Sequence, residues 1–366
     1  MPQTLDDQAA LHLAPNLVVR AARDDAYQIA WGQGSDREYF ITDSADLAGL
    51  LATMPRTTTV IDARRQLEQG LRTSTVEAAT LVGHLVSYGY WLPEPAILTL
   101  GERSWLDVGW EDALDLHMAT RGMIWSHDYS GNPQVMTRYH VTKNVQPDSP
   151  RPMRRRPVRT ETVSLPEPTD LGVDYWRAHD GRRTSRDFRT SRINIDDVAT
   201  ILGLTFKPRF PASDPYLYTS QSYSLGAPFH AYLITGMEGA PEELRKNYAV
   251  YHYDSNAHEL GLIRTATELD QFDALLWRQS YVNHAPIMLV ICVDWQQYMW
   301  KYRFSRAYRF VLTECGAFMQ TALLIASALG LKAFQTPAMN DIAMCKALDV
   351  ADHEIAPLYV ATFGRH

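Results

Sequence analysis

The chain has 366 residues, 46% hydrophobic and 21% charged, proportions of an ordinary globular protein long enough for two domains. A net charge of −7 argues against a general nucleic-acid binder. The three cysteines, Cys292, Cys315 and Cys345, form no CxxC pair, so neither a disulfide framework nor a zinc site is expected, and their usage suits a reducing cytoplasm.

The N-terminus, MPQTLDDQAALHLAPN, carries acids where a signal peptide needs a basic region and an apolar core. Residues 16–31 and 37–42, β-branched and aromatic with turn residues between them, read as strands. Leu47, Leu50, Leu51 and Met54 follow Ser44 at helical spacing, and Val60, Ala63 and Leu67 mark a second short helix. Ser74 and Glu77 make an S-x-x-E capping box for a third helix, which runs through Leu81 and Leu85 to Gly89. GYWLP then reads as a strand, and three short helices with a final strand resemble a winged helix over residues 1–98. Its third helix offers no Arg, Lys, Asn or Gln to a major groove. That leaves a structural extension or a module that captures a peptide on its strand edge.

Residues 99–143 read as a connecting segment with one helix and an aromatic-rich passage. Residues 144–170, rich in proline and arginine, read as an exposed linker. Arg151, Arg154, Arg155, Arg156 and Arg159 are then a solvated tether or, alternatively, a docking strip for an acidic partner. From residue 171 helices and strands alternate, as in an α+β domain on a mixed or antiparallel sheet. A helix is expected near 195–205, strands at AYLITG and APIMLVICVDW, and a long helix over 307–329. That helix carries Arg309, Glu314 and Gln320 and is read as buried rather than membrane-spanning. KAFQTP, a short helix near 340–348 and the strand LYVATFG close the chain.

GRRTSRDF, residues 181–188, gathers Arg182, Arg183 and Arg186 with the hydroxyls of Thr184 and Ser185. Guanidinium presents a planar fork to two oxygens and never loses its charge, which suits a phosphate, although a surface salt-bridge patch uses the same residues. No P-loop is present, and GQGSDR at 32–37 fails the dinucleotide fingerprint at its third glycine. SYSLG at 222–226 lacks the first glycine of a hydrolase elbow, and the twelve histidines show no ligand spacing, so no metal is expected. Lys301 and Tyr302 are adjacent. An ammonium lowers the pKa of a nearby phenol and makes it a credible proton acceptor, yet neighbours on a strand point opposite ways.

In this order, the segments resemble the nitroreductase-fold flavoproteins, in particular the SagB-type dehydrogenases that mature ribosomally made peptides. Residues 182–188 match that fold's R-R-[ST]-x-R-x-[FY] opening. YSLGAPFHAYLI resembles its proline-serine-glycine-glycine-alanine segment, with Ser224, Gly226 and Ala227 matching and Tyr223 and Leu225 departing. YHYDSNAHEL, the long helix at ECGAFMQTALLIASALGL, FQTPAMND and KALDVADHEIAPLYVATFG follow in the family's order, so the likeness covers roughly residues 170–366. It implies a nitroreductase-like FMN domain over 171–366, with FMN held by Arg182, Arg183, Thr184, Arg186, Ser224, Gly226, Gln335, Thr336 and Arg365. It further implies catalysis by Lys301 and Tyr302, a homodimer, a cytoplasmic setting, and as partners a precursor peptide and cyclodehydratase-type maturation enzymes. The expected reaction is oxidation of a modified peptide, most simply azoline to azole. Two alternatives stand beside it: an NAD(P)H-dependent reductase of nitro, quinone or dehydroamino-acid substrates, and a degenerate flavin fold serving as a scaffold. Neither nucleic acid nor membrane is expected as a partner.

Overall fold

A computed structural model describes residues 6–365 apart from 15–16, 23–25, 32–37, 96–102, 106, 111, 115, 118–156, 208–227, 237, 245, 247, 266–271 and 302–305. The chain divides into two compact units, residues 1–128 and 129–366.

The first unit opens with strand Ala10–Leu13 (β1), then Val18–Ala21 (β2), Tyr27–Trp31 (β3) and Glu38–Thr42 (β4). Helix Ala45–Thr53 (α1), strand Thr57–Thr59 (β5), helices Val60–Leu71 (α2) and Thr75–Ser87 (α3) and strand Trp91–Leu92 (β6) follow. Each helix begins where a hydroxyl accepts a first-turn N–H: Ser44 from Leu47, Thr59 from Asp62, and Ser74 from Glu77. Glu77 returns the bond to the Ser74 N–H at 3.0 Å, completing the expected capping box. Hydrogen bonds from Thr73 and Ser74 hold its carboxyl down at about 2. Gly89, at φ +73°, ends α3 in the left-handed region that favours glycine. The strands form two antiparallel sheets, β5-β1-β6 and β2-β3-β4, so residues 16–31 fold as two strands. β1 and β5 go unrecognised in the sequence, being four and three residues long. Trp31, Leu51, Val60, Leu67, Val82, Tyr90 and Trp91 form the core, with Tyr90 Oη donating to Leu51 O at 2.8 Å.

The second unit is built on a seven-stranded sheet. Its members are Glu161–Ser164 (β7), Phe229–Thr235 (β8), Ala249–Asp254 (β9), Glu259–Thr265 (β10), Ile287–Asp294 (β11), Lys332–Thr336 (β12) and Ile355–Gly364 (β13). Their order is β12-β13-β11-β8-β9-β10-β7, with every neighbouring pair antiparallel. Helices Tyr175–Gly181 (α4), Ile195–Phe206 (α5), Trp295–Lys301 (α6), Ala307–Ala328 (α7) and Asp341–Leu348 (α8) belong to the same unit. β11 is buried at every position because both faces of the sheet are covered, which is why its sequence is a nearly continuous apolar run. Leu289 and Ile291 face a core with Phe206 of α5 and with Phe318, Met319 and Leu323 of α7. Met288, Val290 and Cys292 face a second core with Phe188, Phe272, Phe334 and Met344. α7 is long and apolar enough to cross a membrane by length and composition, but Val311, Phe318, Met319 and Ala322 pack it on the sheet.

The expected linker over 144–170 needs correcting. Its part from Glu161 to Ser164 is β7, which pairs with β10 at the edge of the sheet. Arg159 is not a solvated tether either: its guanidinium pairs with Asp254 at 3.2 Å, and its side chain is 17% exposed. The reason is packing against β10, where Thr160 N–H also donates to Leu262 O.

Candidate flavin site

The arginine segment leaves α4 with Arg182 as its C-cap residue, the Arg182 N–H donating to Ala178 O and His179 O. β12 is the outermost strand, and its free edge takes up the segment: Thr184 forms a parallel bridge with Ala333, and Ser185 N–H donates to Ala333 O at 2.8 Å. Phe188, 1% exposed, anchors the far end in the second core. The aromatic of the motif therefore works as a peg, and the cations before it project from a fixed backbone.

Arg186 lies over the rings of Tyr281 (5.6 Å) and Phe334 (5.8 Å), which meet edge to face at 4.9 Å. Arg183 donates to the carbonyls of Asp180 and Arg182. Asp187 takes the fork of Arg189 on both oxygens, at 3.1 and 3.2 Å. Among the described residues no carboxylate pairs with Arg182, Arg183 or Arg186. A purely structural patch would be interlaced with acids, whereas three guanidiniums on an anchored loop, with no described carboxylate paired to them, match a phosphate in charge and donor chemistry. The residues present thus fit an anionic group such as the FMN phosphate.

Gln335 and Thr336 lie on β12 just beyond the bridge at Ala333, half-buried and 8% exposed respectively. They alternate across the strand, so Thr336 shares the face of Phe334 and Gln335 the opposite one. Thr336 Oγ1 accepts from Ala338 N–H and starts the turn into α8. Arg365 follows β13, exchanging backbone bonds with Arg192 and donating Nη2 to Asp197 Oδ1 at 2.9 Å. Burial pushes the Asp197 carboxyl above its usual range, against the pull of Arg365.

Lys301 stands on a helix. It ends helix α6 rather than standing on a strand, because Asp294 Oδ1 accepts the Gln297 N–H at 3.2 Å and starts a helix as soon as β11 finishes. Tyr302, Ser224 and Gly226 lie outside the described residues. The arginine segment meets Ala333, which is opposite Phe363, itself opposite Ile287 at the start of β11; α6 leaves from the other end of β11. Within one chain, the structure brings Arg182, Arg183, Thr184 and Arg186 to β12 but starts the Lys301 helix from the opposite end of the sheet.

Sequence reading missed the segment 277–281, where Trp277 Nε1 donates to Met339 O at 2.6 Å and Gln279 Nε2 to Ala338 O at 3.1 Å. Its aromatics were the available signal, but their partners lie about 60 residues away. Burial pushes the Cys315 thiol up to about 12, Cys345 to about 11 and Cys292 well above the usual thiol value, which disfavours the reactive thiolate. Among the described residues no group of His, Cys, Asp and Glu could hold a metal ion.

Similarity to known proteins was found in sequence and in structure. The chain is 26% identical over 317 residues to the trifolitoxin operon protein TfxC of Rhizobium leguminosarum bv. trifolii, covering 83% of this chain and 86% of that one. It is 31% identical over 116 residues to the microcin B17-processing protein McbC of Escherichia coli, covering 31% of this chain and 42% of McbC. A solved E. coli microcin synthetase McbBCD complex with truncated pro-MccB17 bound aligns at 25% identity and a TM-score of 0.42, covering 48% of this chain and 65% of that one. The nitroreductase family model matches residues 180–365, from the start of the arginine segment to the last backbone bond of β13, and the chain belongs to the nitroreductase family.

Proposed function

We propose that the protein is an FMN-dependent dehydrogenase that oxidises a ribosomally made, modified peptide, most simply an azoline ring to an azole. The observation that carries this reading is the anchored arginine segment with no described carboxylate on its three guanidiniums. Similarity to TfxC over most of both chains, and to McbC over a shorter stretch, supports the choice of a peptide substrate over a free nitro compound. Cyclodehydratase-type enzymes, which form azolines, are the matching partners, and the cytoplasm the matching compartment.

Arg182, Arg183 and Arg186 would hold the phosphate end of FMN, with Thr184, Gln335 and Thr336 adding neutral donors, and Ser224 and Gly226 are proposed as further cofactor residues. Arg365 would help only with the nitrogens that Asp197 leaves it. FMN, when bound, supplies a hydride-accepting N5. Tyr302 takes the proton that leaves the ring carbon, and Lys301 makes this possible by stabilising the phenolate.

The test begins with the absorption spectrum of the purified protein and the mass of its released cofactor, where near-stoichiometric FMN is expected. Tyr302→Phe should keep that FMN and lose turnover on an azoline peptide. A fully active variant would refute the assignment of Tyr302. Rapid bleaching by NADPH without peptide would favour the reductase, and a colourless protein that cannot be reconstituted would favour the scaffold.

A further inference from the structure

Four ionisable side chains lie end to end across the sheet, on the face opposite α7, and finish beneath the head of α6. Arg159 Nη2 lies 3.2 Å from both Asp254 Oδ2 and His252 Nδ1. His252 Nε2 lies 2.8 Å from His230 Nδ1, and His230 Nε2 faces Asp294 Oδ2 at 4.0 Å. His230, His252, Asp254 and Asp294 are each at most 6% exposed. Strand register makes the meeting possible: His252 is opposite Tyr232, His230 is two residues back on the same face, and β11 borders β8 on its other side.

The order of donors fixes the protons. A guanidinium can only donate, so His252 Nδ1 must accept, and the His252 ring proton sits on Nε2. That proton is donated to His230 Nδ1, so His230 carries its own on Nε2, the side facing Asp294. At 4.0 Å this last contact is longer than a hydrogen bond and acts through charge and dipole. One cation at the edge of the sheet thus sets two buried rings and presents an N–H dipole to a carboxylate four strands in. The other oxygen of that carboxylate caps α6, the helix that ends at Lys301.

The seat of the cation is built. Gly261 of β10 pairs with His252, and a β-carbon on Gly261 would lie 2.2 Å from Arg159 Cδ. Only a glycine there lets the arginine stem cross the strand to the histidine. A merely space-filling cluster would have no need of that gap.

We propose that Arg159, His252 and His230 act in series as positioning residues, orienting Asp294 and through it α6, the helix that ends at Lys301. This rests on the reading of Lys301 and Tyr302 as the catalytic pair. The first test is the ring ¹⁵N spectrum of histidine-labelled, full-length, FMN-loaded protein. Two neutral rings protonated on Nε2 are expected at positions 230 and 252. A wild-type ring protonated on Nδ1, or on both nitrogens, overturns the proposal whatever the activity.

The second test uses Arg159→Met and Gly261→Ala, with Arg159→Lys as the conservative variant that keeps a donor. The first two should lose the tautomer pattern and lower kcat for azoline oxidation about tenfold through misplacement, with KM and FMN content unchanged. Arg159→Lys should restore both readouts, and the double variant should be no worse than Arg159→Met alone. Altered tautomers with unchanged kcat would sink the positioning role. If the catalytic reading itself is wrong, Tyr302→Phe stays active while the wild-type ring protons remain as assigned, so the two failures are distinguishable. Should Arg159→Met not fold, the wild-type spectrum and the Gly261→Ala kinetics still decide.

Discussion

Asp197 shows how burial and charge compete at a single residue. It is 4% exposed, and Arg365, which pairs with its carboxylate, is half in solvent, so desolvation outweighs attraction and the carboxyl titrates above its usual range. The folded chain therefore binds this proton more tightly than the unfolded chain. Stability from this group is full below the ordinary carboxylate pKa and falls as pH rises through the raised value. Asp197→Asn should accordingly raise the melting temperature at neutral pH, and that advantage should vanish below about pH 4. An advantage that persists at low pH would place its origin elsewhere. Arg186 presents the opposite case, a cation held over two rings with its charge unspent on any described acid. Arg186→Met keeps the stem and removes the donors. It should weaken FMN binding about 10- to 100-fold, the usual worth of a hydrogen bond to a charged group, and fluorescence titration of stripped protein would measure it. These arginines are legible in sequence because guanidinium chemistry belongs to the residue type. Arg159 is not, since its role depends on a missing β-carbon at Gly261, 102 residues away.

Elements differ in how openly they announce themselves. α3 is written in local chemistry: Ser74 and Glu77 at its start, Gly89 past its end. Ser74→Ala should cost about 1 kcal/mol of local stability, seen as faster hydrogen exchange at the amides of α3. Unchanged exchange would mean that packing of Ala78, Val82 and Leu85 alone holds the helix. β11 and β13 are equally plain, because strands covered on both faces read as apolar runs. β7 is hidden, since ETVS sits among prolines and arginines and becomes a strand only because β10 offers an edge. α6 is hidden for a related reason. WQQYMWK has no strong helical pattern, and the deciding cap, Asp294, closes the preceding strand. Cross-strand neighbours such as His230 and His252, 22 residues apart, are set by register, which no local window contains.

At the scale of the whole molecule, the arginine segment and the helix that ends at Lys301 lie at opposite ends of β11 in the second unit, and both are proposed to serve one flavin. A flavin served by both sets is most simply shared between two copies of the chain. Size-exclusion chromatography with light scattering should therefore find the FMN-loaded protein as a dimer, and an FMN-loaded monomer would count against that arrangement.

The docking of Thr184 and Ser185 on β12 has a second effect. An outermost strand is a template on which foreign chains can stack, and proteins blunt such edges by covering them. Here the cover is the cation-bearing loop itself. On the proposed flavin reading, a substitution that merely deletes a guanidinium leaves the edge shielded and gives a pale, soluble protein. One that unseats the loop, for instance at Phe188, uncovers a sticky ladder and gives a pale protein that precipitates. Turbidity read beside colour therefore separates a lost ligand contact from a lost guard against aggregation.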